Sequence, residues 1–391
     1  MRWLYTLVLL WLAGAAMRLT VLAVPPVLPQ MQRDLAMSQI DIGVLSSLPS
    51  LLFAIVAIPG AALIARFGAL PTLIGGLLVT AAGGAVRGIA PDTLILFATT
   101  FAMSAGIAVM QPALPRIVRD WAPQRVGFAT AVYANGMLAS EALAASLTIP
   151  FVLPLAGGSW RWSLAFWSLP VVLIAWLLAA EGARRRAVAG PVQSAIRVPQ
   201  RWWPDWRDPL TWQIGFAMGC ASGIYFGVNA FLPGYLTGSG RAGSVDGALA
   251  AINVSQIPAT VILFFCAQRL SVKRTPYIVT GIAATVGVVG LIVMPGAWAL
   301  VWSALIGFCC AAVITLALTL PPLLSRPDDV HRLAGAAFTI GYAWAVVIPI
   351  LGGLAWDLTG TPAAAFAPAA LCGIIVAAVG ALFRFRGMNP S

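Results

Sequence analysis

Three ionisable side chains sit in apolar surroundings, and they are the groups best placed to do chemistry. Arg18 interrupts an apolar segment that begins at Trp3, Arg87 ends another, and Glu141 lies within a third. An ionised side chain at membrane depth costs at least about 3 kcal/mol on insertion scales, so it persists where something pairs or uses its charge. At about 1.5 Å per helical residue, each lies roughly 24 Å from the same membrane surface, a shared depth that permits contact. The Arg18 guanidinium is a planar fork that matches carboxylates and other small oxyanions better than an ammonium does, so substrate contact is expected of it. Glu141 is the expected proton-coupling group. It pairs with Arg18 when the site is empty and takes a proton when an anion displaces it, because desolvation favours a neutral acid and a nearby cation favours its carboxylate. The alternative is a permanent bridge that only fastens the first helix to the fifth. Arg87 also has two readings: a substrate contact, or a long basic chain reaching the outer interface.

Polar residues at helical spacing extend the candidate site. Tyr133, Met137 and Glu141 follow each other four apart and share one face, as do Tyr225 and Asn229. Asn253 and Gln256 are three apart, and Gln111, Tyr342 and Trp344 lie deep in other apolar runs. Each is expected to line a substrate cavity, against the alternative that amides and hydroxyls merely bond one helix to another.

Positioning these groups is the task of a membrane bundle. Of 391 residues, 60% are hydrophobic and 9% charged, where soluble chains carry roughly a quarter charged. The apolar residues gather into runs of about 20, the length that crosses a bilayer as helix. Twelve spans are expected, at 3–29, 41–65, 71–90, 92–116, 124–150, 161–180, 209–236, 243–268, 276–295, 297–320, 331–354 and 361–384. Run length and the lack of period-two alternation favour helices over barrel strands. The first run could pass for a signal peptide, but it continues past Arg18 to Leu28 and reads as a retained span. With both termini cytoplasmic, only Arg33, Arg87, Arg161 and Arg241 of the 23 Lys and Arg residues fall on the far side, Arg18 lying within the membrane. That asymmetry accounts for the net charge of +11 and excludes nucleic acid as a partner.

The expected divisions are an N-terminal six-helix bundle over 1–181, a cytoplasmic central loop over 182–208 and a C-terminal six-helix bundle over 209–391. Trp202, Trp203 and Trp206 suit a central segment lying along the interface; a plain linker is equally compatible. At an offset of 207 residues Pro26 meets Pro233, Arg66 meets Lys273, Pro115 meets Pro322 and Arg125 meets Arg332, as two parallel repeats would show. Pro25-Pro26, Pro115 and Pro321-Pro322 are expected to bend their helices. The five cysteines read as small buried residues, and His331, beside Arg332, as a solvated loop residue. There is no HExxH, no paired histidine and no glycine-rich phosphate loop, so neither an enzyme nor a bound cofactor or metal is expected.

Two six-helix halves joined by a basic loop resemble the major facilitator superfamily. Its motif between helices two and three is matched by Gly60, Arg66 and Gly68, while Ala65 replaces the acid and Ala69-Leu70 the trailing basic residues. Within it, the N-terminal half is similar to the cyanate and 2-nitroimidazole transporter family, on Met17-Arg18, Leu28-Pro29-Gln30, Arg87, Gly106 through Gln111 to Pro115, and Trp167-Ser168-Leu169-Pro170. The resemblance implies a monomeric carrier of small anions or compact polar molecules, working by alternating access in a bacterial inner membrane. The residues agree on the cargo's sign: the membrane-depth charges are two arginines and one glutamate, all in the N-terminal half. An anion, or a neutral molecule with a strong acceptor such as a nitro group, is therefore preferred, carried with protons or by exchange. The alternative of the same fold is efflux of bulky amphipaths, for which Tyr225, Phe226 and Trp344 would serve.

Overall fold

A computed structural model of the chain describes residues 2–189, 201–294, 296 and 298–383. Part of the central segment, 190–200, and the basic residues Arg197, Arg384 and Arg386 lie outside the described residues. The described residues hold helices and turns but no strands. Twelve helices are long and apolar enough to cross a membrane: α1 (Trp3–Asp34), α2 (Asp41–Phe67), α3 (Ala69–Ile89), α4 (Thr93–Trp121), α5 (Val126–Leu155), α6 (Trp160–Val188), α7 (Pro209–Gly238), α8 (Ala242–Leu270), α9 (Arg274–Val293), α10 (Trp298–Leu324), α11 (Pro327–Thr359) and α12 (Pro362–Leu382). The all-α, twelve-span expectation holds. Helices are the natural solution because each satisfies its own backbone donors and acceptors without water.

The packing repeats after six helices. In the first half α2 and α3 pack on α4, and α6 on α3 and α1; in the second α8 and α9 pack on α10, and α12 on α9 and α7. The chain divides into two compact units. One comprises Met1–Pro123, Tyr133–Pro204 and Ser325–Gly335; the other comprises Gln124–Val132, Asp205–Leu324 and Ala336–Ser391.

Local chemistry sets the ends of the helices. Ser38 and Asp41 form a reciprocal capping box at the start of α2: the Asp41 N–H donates to Ser38 Oγ at 3.2 Å, and the Ser38 N–H to Asp41 Oδ2 at 2.8 Å. Gly68 turns the chain into α3 at φ +92°, a conformation that a side chain strains. α6 continues beyond the expected start of the central loop. Glu181, whose side chain is 1% exposed, accepts from Arg184 Nε at 2.7 Å and Arg185 Nε at 2.6 Å, one turn ahead, and holds the extra turns. Arg185 also donates to Thr6 Oγ1 at 3.0 Å and lies 4.3 Å from the Trp121 ring centre, fastening α6 to α1 and α4.

Two expectations need correction. His331 is not a solvated loop residue: it lies in the first turns of α11 and is fully buried. The stretch around it packs into the first unit, where Arg116 pairs with Asp328 at 3.5 Å and Arg332 donates to the Trp203 carbonyl at 2.8 Å. The interruption of α4 falls at Gln111-Pro112, not at Pro115. Pro115 lies in the first turn of the following segment, Ala113–Trp121, where a missing N–H costs little. Pro25 and Pro26 do interrupt α1, as a short 3-10 turn.

Candidate functional site

Arg18 and Glu141 meet. Arg18 Nε lies 3.2 Å from Glu141 Oε1, with the two side chains 14% and 21% exposed. Both members of the pair are thus largely but not fully buried. The guanidinium carbon also lies 5.6 Å from the centre of the Phe53 ring on α2, within cation–π range.

A tight contact between α1 and α5 sets up this meeting. A Cβ on Gly14 would strike the Tyr133 carbonyl, and one on Gly136 would strike the Trp11 carbonyl. Two glycines thus let the backbones touch, as small residues do between membrane helices. Trp11 Nε1 donates to Asn135 Oδ1 at 3.0 Å and fixes the register. Gly136→Val should overpack this contact and lower stability by about 1–3 kcal/mol. Gly43→Ala is the control, since nothing lies within 4 Å of a Cβ built there. A thermal melt of both variants in detergent checks the contrast; equal melting would show that the close approach is not needed.

Among the other candidates of the first unit, Tyr133 and Gln111 are each 1% exposed. Tyr133 belongs to the α1–α5 contact, and Gln111 occupies the interruption of α4. Arg87 does not reach out to the interface. It is 1% exposed and turns inward, its Nη2 donating to the Thr20 carbonyl of α1 at 2.6 Å. The end of α3 is closely packed on α6, with Gly88 against the Arg161 carbonyl.

The second unit gathers its candidates into an amide network. The Tyr225 hydroxyl donates to Asn253 Oδ1 at 2.6 Å, Asn253 Nδ2 to Asn229 Oδ1 at 3.3 Å, and Asn229 Nδ2 to the Tyr225 carbonyl at 2.8 Å. Asn253 is exposed, and α8 is interrupted just beyond it at Ser255. Gln256 opens the next segment, its Nε2 at 3.5 Å from the Asn253 carbonyl, at the limit of a hydrogen bond. Tyr342 and Trp344 sit in aromatic pairs: Tyr342 stacks on Phe338 with ring centres 6.2 Å apart, and Trp344 meets Phe216 edge-on at 5.5 Å.

Sequence reasoning missed Phe53, Gly14, Gly136, Asn135 and Glu181. Gly14 and Gly136 carried a usable signal, since each is a small residue a turn or so from a membrane-depth charge on its own helix.

The family model of the Major Facilitator Superfamily matches residues 10–349. This chain belongs to that superfamily. It is a multi-pass membrane transporter of the family. It is 28% identical to the 2-nitroimidazole transporter of Escherichia coli (strain K12), over 94% of this chain and 92% of that one. It is 24% identical to the cyanate transport protein CynX of the same organism, over 94% of each. Among solved superfamily structures, the transporter FucP in its outward conformation superposes with a TM-score of 0.74 at 14% identity, covering 96% of this chain and 98% of that one. A bacterial homologue of the iron transporter ferroportin gives 0.76 at 13% identity, with the same coverage. These two likenesses carry the fold alone.

Proposed function

We propose that this superfamily member carries a small anion, or a compact polar molecule with a strong acceptor such as a nitro group, by alternating access, and that Arg18 binds the cargo. The observation that carries this reading is the Arg18–Glu141 pair: a guanidinium at membrane depth, held by one carboxylate and still partly open. An anion that reaches Arg18 competes with Glu141 for the same fork. The displaced carboxylate, desolvated and without its cation, then takes a proton. Cargo and proton are thereby exchanged for one ion pair, which is the elementary step of coupled transport. The names of the relatives, a 2-nitroimidazole transporter and a cyanate transport protein, fit both forms of cargo.

The basic loops favour cytoplasmic termini in a bacterial inner membrane. Import of an anion in that orientation works against about 2.3 kcal/mol per charge per 100 mV, so a co-transported proton or an exchanged anion has to drive it. Within the second unit, taken by itself, the polar network at Tyr225, Asn229, Asn253 and Gln256 is a separate candidate region for polar contacts. Thermal stabilisation of the purified protein by cyanate, nitrate and 2-nitroimidazole, set against a lipophilic cation, tests the cargo class. Stabilisation by the cation alone would overturn it.

A further inference from the structure

The end of α1 that carries Asp34 holds a cavity that includes neither Arg18 nor Glu141. Its volume is about 330 Å³, and it is lined by Gln30, Arg33 and Asp34 of α1 and by the α5–α6 turn from Gly157 to Trp160. All of these belong to the first unit. The volume falls at the lower end of the range for small-molecule pockets and exceeds what a single ion needs. The turn leaves the space clear: Gly157 and Gly158 adopt φ of +63° and +76°, and a Cβ on either meets nothing within 4 Å.

Part of the polar lining is already committed. The Asp34 carboxylate accepts from Trp160 Nε1 at 2.7 Å and from Arg161 Nη1 at 3.1 Å, and the Arg161 guanidinium lies 4.3 Å from the Trp160 ring centre. The rest is idle. Arg33 is exposed and bonds the Pro29 carbonyl of its own turn through Nε at 3.2 Å, which leaves both Nη groups open. It has no ion-pair partner among the described residues. Gln30 and Ser159 add an amide and a hydroxyl that make no hydrogen bond among the described residues, although Ser159 stands at the N-cap position of α6. One uncompensated cation and two neutral donors therefore line the same space.

The setting narrows the occupant. Arg33 and Arg161 are two of the few basic residues on the far side of the membrane, so the bias that places positive charge in cytoplasmic loops does not account for them. Leu155 and Trp162, two residues from either end of the turn, are strongly exposed apolar side chains on α5 and α6. Such side chains face acyl chains, and an indole is at home at the level of lipid headgroups. A phosphate held by Arg33 has apolar surface beside it for the chains of its own lipid. We propose that this cavity binds the headgroup of an anionic phospholipid, with the phosphate on the Arg33 fork and Ser159 and Gln30 donating to headgroup oxygens. A guanidinium matches phosphate geometry, and a net charge of one balances the one open cation. The lipid joins the end of α1 to the α5–α6 turn. The inference needs the bilayer but does not need Arg18 to be the cargo group.

Native mass spectrometry of the purified full chain, in detergent with phosphatidylglycerol or phosphatidylcholine added at equal concentration, tests the site. Phosphatidylglycerol should be retained in preference. Arg33→Gln should lower its retention about fivefold, the effect of one basic side chain at an anionic surface, and Ser159→Ala about threefold. Arg33→Lys should keep most of the retention, and Arg18→Ala all of it. Both substituted positions should fold, because neither side chain bonds another helix. Equal retention of the two lipids, phosphatidylglycerol retention unchanged in Arg33→Gln, or loss of retention in Arg18→Ala would overturn the proposal. Competition by free glycerol phosphate as effective as that of the lipid would also overturn it, and would assign the cavity to a soluble phosphate.

Discussion

Arg18→Ala should abolish stabilisation by small anions and reduce their transport to background, while the protein remains folded. Hydrogen bonds to charged groups contribute about 1.5–3 kcal/mol each, so loss of the guanidinium should weaken binding by roughly 10- to 150-fold. Folding should survive because Arg18 is partly open, at 14% exposure, and the contact that joins α1 to α5 rests on Gly14, Gly136 and the Trp11–Asn135 hydrogen bond. Arg18→Lys separates charge from geometry. It keeps the cation but loses the planar fork, so it should bind oxyanions about tenfold more weakly and discriminate less between planar and spherical anions. Titration of melting temperature with planar nitrate and with a spherical halide reads both effects. Full anion affinity in Arg18→Ala would remove the guanidinium from the cargo site.

The comparison of sequence with structure shows where residue types carry information. The twelve spans were legible because crossing a bilayer takes a fixed length of apolar helix, and length and hydropathy are properties of the string. The Arg18–Glu141 meeting was legible for a related reason. Few charges occur at membrane depth, and two of opposite sign at one depth have few other partners. The inward turn of Arg87 was not legible. An arginine near a helix end reaches outward or inward depending on what packs above it, and here Gly88 brings the Arg161 backbone close. His331 failed for the same reason. Its sequence neighbours are Asp329 and Arg332, which look solvated, yet long-range packing around Arg116, Asp328 and Trp203 buries it. Gln111-Pro112 was likewise ambiguous, since two prolines three residues apart are both able to interrupt a helix and only backbone geometry chooses between them.

Glu141→Gln should uncouple transport from the proton gradient while leaving exchange intact. The amide keeps the volume and an acceptor oxygen for Arg18, so the α1–α5 contact has no steric reason to fail. It cannot carry a negative charge, so it competes with the incoming anion far less, and the variant should bind cargo at least as tightly as the wild type. It cannot take a proton either. Cargo should therefore still exchange across the membrane down its own gradient but no longer accumulate when only a pH difference is imposed. A pair that merely fastens two helices behaves differently: breaking it leaves Arg18 uncompensated, an effect worth about 3–5 kcal/mol in fully buried pairs and less here, where both side chains are partly exposed. Stability would then fall, with coupling preserved in whatever protein remained. Proteoliposomes separate the two cases when counterflow, pH-driven accumulation and melting temperature are measured on the same preparation. Wild-type accumulation by Glu141→Gln would assign the proton to another group. A low melting temperature with coupling preserved would make the pair a fastener, and Arg18 would then bind its cargo without releasing a carboxylate.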